Sequence, residues 1–268
     1  MFDLEAYLQR IGLGGRPSLA EIHRAHATSI PFEGLAPHVG EPVALDPSSL
    51  AEKLVAGGRG GYCFEQNLLL KAALEALGYE AEPVLARVLV GAPPGAMRPR
   101  THLLLRVFDG ERSWHADVGF GSGTLIEPIP WGPGAEHEQL GWRFRVIERG
   151  QELVLQAEGG GEWGDLYRFD PDPVPEIDIE TSNWWTATHP ESRFVAGLLV
   201  SRQLPDGRRL ILTDWGGELA LTERSPQDAQ TTPVASDELP GMLAERFGLH
   251  GFGLNAEGRL ARAPQDRR

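Results

Sequence analysis

Arg59-Gly60-Gly61-Tyr62-Cys63-Phe64-Glu65-Gln66-Asn67 carries the one cysteine of a 268-residue chain. A glycine-rich loop delivers Cys63 straight into an apolar run, residues 68–77, that stops at Gly78. Leu69, Ala72, Ala73, Ala76 and Leu77 recur at helical spacing, and Gly78 suits the left-handed position just past a helix end. The spacing puts Cys63 in the first turn of a helix, where free backbone N–H groups and the positive end of the dipole favour a thiolate. By residue type alone, a lone cysteine is a small buried hydrophobe. The paired glycines and the helix start argue instead for a nucleophile.

Upstream of this stretch the chain reads as helical. Phe2, Leu4, Tyr7, Leu8 and Ile11 share one helical face, which Gly12 ends. Ser18-Leu19-Ala20-Glu21 is a capping box for a second helix. Ile30-Pro31-Phe32-Glu33 must be extended or turned. Asp46-Pro47 supplies a cap and a first-turn proline for a third helix running to Val55.

Downstream the period changes to that of strands. Residues 81–90 and 102–108 are rich in valine and leucine, and Asp109-Gly110 turns the chain into a return strand, residues 113–118. Residues 142–147 and 153–157 form another hairpin through Arg149-Gly150, and residues 166–169 a further strand. Asp170-Pro171-Asp172-Pro173-Val174-Pro175 is the best linker, because alternate prolines preclude strand pairing. Beyond it the pattern predicts a helix over 177–185, a hairpin pairing 194–200 with 209–212, and a helix capped at Ser236-Asp237-Glu238 that stops at Gly248. The tail from Ala256 onward is polar and expected to fray. Three parts follow: a helical 1–80, a sheet-rich 81–174 and a mixed 175–268.

A cysteine nucleophile needs a base and a group to orient that base. His102 opens a strand directly after the polar loop Arg98-Pro99-Arg100-Thr101. Counting outward from Asp109-Gly110 sets residue 102 opposite residue 117, with Cβ atoms about 4.5–5.5 Å apart. Asp117 can then hold one imidazole nitrogen while the other faces Cys63. Left to itself, such a pair is a surface charge contact; Cys63 is what gives it a purpose. His115 shares the Asp117 face by strand alternation and has no evident role. His23, His26 and His38 read as packed or solvated. Asp117-Val118-Gly119-Phe120-Gly121-Ser122-Gly123-Thr124 has alternate glycines that let the backbone approach a ligand. No metal-ligand spacing is convincing.

Composition narrows the partners. Asp and Glu number 38 against 25 Lys and Arg, a formal net charge of −13, which argues against nucleic acid or an anionic membrane as main partner. One cysteine allows no internal disulfide, and Met1-Phe2-Asp3-Leu4-Glu5 has no basic segment followed by an apolar one, so a cytoplasmic location is expected. No run is apolar enough to span a membrane.

Taken together, these residues resemble the arylamine N-acetyltransferases. The resemblance is carried by Tyr7-Leu8-Gln9-Arg10-Ile11-Gly12, Ile30-Pro31-Phe32-Glu33, the Cys63 stretch, Thr101-His102-Leu103-Leu104 and Asp117-Val118-Gly119-Phe120-Gly121. Asn183-Trp184 and Thr188-His189-Pro190-Glu191-Ser192-Arg193-Phe194 extend it through the last third. It implies an α+β fold: a helical bundle, a central antiparallel β-barrel-like part and a C-terminal α/β lid, around a papain- and transglutaminase-like Cys-His-Asp core. It also implies Cys63 as the acetyl-accepting nucleophile, His102 as base and Asp117 as orienting partner, with acetyl-CoA as co-substrate and no metal. An aromatic amine or hydrazine would take the acetyl group in a ping-pong scheme, within walls formed by Phe32, Val90, Phe120 and Phe194. Arg98, Arg100, Thr101, Gly121, Gly123 and Thr124 are the candidates for holding CoA, and the protein would be a monomer or homodimer. Arg59 and Glu33 read as a structural ion pair. The family commonly carries asparagine after Pro-Phe-Glu, where this chain has Gly34.

Alternatives remain at this point. The same triad with water as acceptor makes a cysteine hydrolase, an amidase or thioesterase. A relative could use other acyl donors or close macrocyclic amides, and a degenerate binding protein would need no reactive cysteine at all.

Overall fold

The computed structural model describes residues 2–93 and 95–263. Helix α1 (Leu4–Arg10) and helix α2 (Leu19–Ser29) pack their apolar faces on a shared core. The capping box of α2 forms as expected, Glu21 accepting from the Ser18 N–H at 2.8 Å while Ser18 accepts from the Glu21 N–H. Strand β1 (Phe32–Glu33) and a short helix α3 (Leu35–His38) follow. Asp46 caps α4 (Pro47–Leu50), but the helix expected through Val55 widens into a π turn over Ala51–Ala56. Helix α5 (Cys63–Leu77) starts at the cysteine and ends at Gly78, whose φ of +95° is the left-handed cap.

Eight antiparallel strands form the central sheet, in the order β5-β4-β3-β2-β9-β8-β7-β6. They are β2 (Glu80–Val88), β3 (His102–Asp109), β4 (Arg112–Ala116), β5 (Ile129–Pro130), β6 (His137–Gln139), β7 (Trp142–Arg149), β8 (Glu152–Gly159) and β9 (Glu162–Phe169). The edges β5 and β6 approach one another because Gln139 accepts from the Ile126 and Glu127 N–H groups and donates to the Glu127 carbonyl. The result is a nearly closed barrel filled by Val84, Leu104, Phe144, Leu155, Tyr167 and Phe169. Residues 89 and 90, expected in β2, lie beyond its end.

A second sheet, in the order β1-β10-β11-β12-β13, is built from β10 (Leu199–Gln203), β11 (Arg209–Thr213), β12 (Ala220–Arg224) and β13 (Ala229–Pro233). Helix α6 (Glu176–Thr188) runs longer than the pattern suggested. Residues 194–196, expected to open a strand, instead complete helix α7 (Arg193–Ala196), which Ser192 caps by accepting from the Phe194 N–H. Helix α8 (Leu239–Phe247) covers this sheet, and a hairpin of β14 (Phe252–Leu254) and β15 (Leu260–Arg262) orders most of the tail expected to fray. Residues 264–268 of that tail lie outside the described residues.

One strand joins the parts. Phe32 and Glu33 pair with Ser201 and Val200 on one side, and the Glu33 N–H donates to the Gly61 carbonyl at 3.0 Å on the other. The cysteine loop is thereby stitched to the C-terminal sheet. Among the described residues, no helix is long and apolar enough to cross a membrane.

Candidate active site

Cys63 is 3 % exposed, at the first turn of α5, within a cluster of Phe32, Tyr62, Phe64, Leu85, Leu103 and Ile179. The glycines before it serve packing. A Cβ at Gly60 would strike the Pro31 carbonyl, so only glycine lets the loop lie against β1. Gln66 locks the same loop, its amide donating to the Pro31 carbonyl at 2.8 Å and the Gly61 carbonyl at 3.2 Å. Behind the loop, Arg59 donates to Glu33 at 2.8 Å, and Glu33 accepts from the Leu35 N–H at 2.8 Å. The expected structural ion pair is therefore part of the scaffold that bends residues 31–35.

His102 opens β3 as expected, yet its route to Asp117 differs from the expected one. Asp109 pairs with Arg112, so the loop is Gly110-Glu111 and the register is displaced by two residues. His102 has Ala86 of β2 opposite it, and Asp117 lies one residue past the end of the β4 ladder. A shift of two keeps a side chain on the same face of a sheet, so the pair still meets, diagonally. His102 Nε2 donates to Asp117 Oδ2 at 2.8 Å, leaving Nδ1 for Cys63. Cys63 Sγ also lies 3.5 Å from the Thr101 carbonyl.

Asp117 is fully buried and saturated with donors. Its Oδ1 accepts from Asn67 at 2.9 Å and from the Gly119 N–H at 2.9 Å, and its Oδ2 accepts from the Tyr167 hydroxyl at 2.8 Å as well as from His102. Burial pushes this carboxyl up, but His102, Asn67 and the Gly119 N–H outweigh it and hold it below the usual carboxylate range. For His102, burial pulls downward while Asp117, then Cys63, pulls upward, and the imidazole is pushed up to about 9. Gly119 lets this corner close on α5, because a Cβ there would lie 2.8 Å from Cys63 Cα.

Sequence reasoning did not assign Asn67, Tyr167 or His23 to this cluster. Asn67 stood inside the cysteine stretch, one helical turn beyond Cys63. His23 accepts from the Asp117 backbone N–H at 3.0 Å and donates from Nδ1 to the Ile126 carbonyl at 3.0 Å. Tyr167 arrives from a strand 50 positions from Asp117, and only the closed barrel brings it there.

Three buried imidazoles make the fold acid-labile. Burial lowers His23 from 6.5 to about 4, and His26 and His115 to about 3. The unfolded chain therefore takes up these protons first as pH falls. The contribution of these three imidazoles is full above about 6.5 and declines towards 4 and below, each removing up to about 1.4 kcal/mol per pH unit. His102 has the opposite sign, its contribution fading as pH climbs from 6.5 through about 9. Melting temperatures are expected to fall steeply between pH 6.5 and 4, and a flat profile there would contradict the buried neutral state.

Above Cys63 opens a cavity of about 330 Å³. Phe32, Val90, Phe120 and Phe194 all border it, joined by Trp185 and Trp215 from the C-terminal part. Phe120 packs against His102 with ring centroids 4.9 Å apart, and Phe194 packs against Phe32 and Tyr62. Of the residues expected to hold CoA, Arg98 and Thr101 border the cavity. Arg100 forms an ion pair with Asp170. Gly121, Gly123 and Thr124 are not on the cavity wall. The Gly121 carbonyl accepts from Gln203, and buried Arg209 donates to the carbonyls of Ser122 and Thr124. These contacts fix the loop that carries Phe120. Among the described residues, no group of three His, Cys, Asp or Glu is placed to hold a metal ion.

Gly34 explains the setting of Phe194, since a Cβ at position 34 would overlap the Phe194 ring. Gly34→Ala or Gly34→Asn is expected to push that ring into the cavity and raise KM for a bulky aromatic amine about 10-fold. Alkylation of Cys63 by iodoacetamide should stay unchanged; equal KM values for variant and parent would refute this wall assignment.

A cysteine at a helix start, backed by an imidazole and a buried carboxylate beneath an apolar cavity, is an arrangement that can carry an acyl group on its sulfur. The family model described as N-acetyltransferase matches residues 17–252. The arylamine N-acetyltransferase of Mycolicibacterium smegmatis is 42 % identical, covering 92 % of both chains. That of Escherichia coli K12 is 36 % identical over 93 % of this chain and 92 % of its own. The structure of Mycobacterium marinum arylamine N-acetyltransferase in complex with CoA superposes with a TM-score of 0.87, at 34 % identity and 92 % coverage of each chain. The chain belongs to the arylamine N-acetyltransferase family.

Proposed function

We propose that this enzyme moves the acetyl group of acetyl-CoA, through Cys63, onto the nitrogen of an arylamine or arylhydrazine. The observation that carries this reading is the Asp117–His102 hydrogen bond set beside Cys63 at the floor of an aromatic cavity that both His102 and Cys63 line. His102 Nδ1 takes the thiol proton, and the sulfur attacks the acetyl carbonyl. The C–S bond to CoA breaks, and the CoA sulfur leaves with the proton held on His102. The amine nitrogen then attacks the acetyl-cysteine, His102 accepts a proton from it, and Cys63 is released as the amide departs. Asp117 stays ionised throughout and fixes which imidazole nitrogen faces the cysteine.

The cavity supports an aromatic acceptor. Phe32, Phe120 and Phe194 line it, and apolar aromatic walls suit a flat substrate and keep water from the thioester. The coenzyme in the Mycobacterium marinum complex supports CoA as the donor's carrier. The position of Arg98 and Thr101 on the cavity wall supports them as residues that meet it.

CoA release with and without an arylamine tests the acceptor. Release from acetyl-CoA that stops after one equivalent per enzyme, and resumes when 4-methoxyaniline is added, is expected. Steady release indifferent to the amine would make the enzyme a hydrolase.

A further inference from the structure

His115 is fully buried on β4, where the sequence offered no role for it. Its Nε2 lies 2.7 Å from the Tyr167 oxygen, and the Tyr167 oxygen lies 2.8 Å from Asp117 Oδ2. Tyr167 has one proton to give, and an ionised carboxylate oxygen can only accept. That proton therefore lies between Tyr167 and Asp117, so the hydrogen between His115 and Tyr167 must belong to His115. The imidazole is neutral, protonated at Nε2 and bare at Nδ1. Buried Nδ1 has no partner among the described residues.

An unpaired buried acceptor costs about 1–3 kcal/mol. The surroundings of His115 are otherwise aromatic, with Trp131 and Phe169 rings 5.7 and 5.3 Å away. A leucine would fill the same space without that cost. What the imidazole adds is its single donated bond.

We propose that His115 is a positioning residue for the transfer step: by donating to Tyr167 it strengthens the phenol as a donor to Asp117, draws charge from that carboxylate and weakens its pull on His102. Hydrogen bonds in a chain polarise one another, and donors to a carboxylate disperse its charge. The titratable groups around the His102–Asp117 pair are Cys63 from α5, Tyr167 from β9, His115 from β4 and His23 from α2. Burial keeps Tyr167, His115 and His23 uncharged, which leaves Asp117 as the charge that sets His102 once Cys63 is acetylated. Transfer needs His102 unprotonated, because it must accept the proton lost by the attacking amine. Too strong a pull from Asp117 keeps it protonated. The line His115–Tyr167–Asp117 moderates that pull.

This inference rests on the acyl-transfer reading above, and a single-turnover experiment separates the two. Enzyme is loaded with acetyl-CoA, freed of excess donor, and mixed across a range of pH with 4-methoxyaniline, while acetyl-Cys63 is followed by mass. Parent enzyme that never acquires the acetyl group would sink the acyl-transfer reading itself. With loading intact, His115→Leu is expected to raise the pH midpoint of transfer by half to one unit, slowing it about 3- to 10-fold at neutral pH. The KM for the amine should not change. His115→Gln brings an amide N–H to the place of Nε2 and should restore the parent midpoint, whereas His115→Asn is too short to reach Tyr167 and should behave as leucine does. A midpoint that is the same in parent, leucine and asparagine variants would overturn the proposal, as would a glutamine variant no better than leucine. A purely structural role would slow loading and transfer together without moving the midpoint.

Discussion

Cys63→Ser is expected to lower acetyl transfer by at least roughly three orders of magnitude while leaving the fold intact. The hydroxyl fits the volume of the thiol, and the Thr101 carbonyl beside Sγ offers it an acceptor, so stability should change by no more than about 1 kcal/mol. Reactivity is another matter. A thiol gives up its proton to a neighbouring imidazole far more readily than a hydroxyl does, and an acetyl-serine ester passes its acetyl group to an amine less readily than a thioester does. Amide formation and circular dichroism, measured side by side, check this. A folded serine variant within a few-fold of the parent rate would remove Cys63 from the chemistry.

Asp117→Asn should fall in the same range, by about 10²- to 10⁴-fold, for a reason of proton placement. The Asp117 carboxylate accepts from His102 Nε2 and Tyr167 through one oxygen and from Asn67 and the Gly119 N–H through the other. The two N–H donors to Oδ1 hold the amide oxygen of asparagine on that side. Its NH₂ then faces His102, and the imidazole must answer with a bare Nε2. The hydrogen moves to Nδ1, facing Cys63, and the base can no longer take the thiol proton. Iodoacetamide labelling of Cys63 should slow in parallel with acetyl transfer. If transfer survives the substitution, the carboxylate is not what orients His102.

The register of the β3–β4 hairpin shows why this site could be read from sequence. Asp109-Gly110 located the turn to within a residue, and the resulting two-residue error left His102 and Asp117 on one face. An error of one residue would have put them on opposite sides. Cys63 was legible because its helix is announced by glycines before it and Gly78 after it, and the caps at Ser18 and Asp46 were legible for the same local reason. Where local preference and tertiary context disagreed, sequence reasoning failed. Phe194 has the composition of a strand, yet Ser192 caps a helical turn that swings its ring against Phe32. The thin, polar β13 has every residue exposed, so no apolar alternation marks it. Tyr167 and His115 meet only through closure of an eight-stranded sheet, and no spacing along the chain encodes that meeting.

Acetyl transfer by this route requires a covalent acetyl group at Cys63. Mixing the protein with acetyl-CoA alone, quenching in acid and digesting for mass spectrometry tests it directly. The peptide containing Cys63 should gain the mass of one acetyl group, and the gain should vanish when an arylamine is added before quenching. An unmodified Cys63 peptide, from enzyme that still forms amide when both substrates are present, would contradict the covalent route.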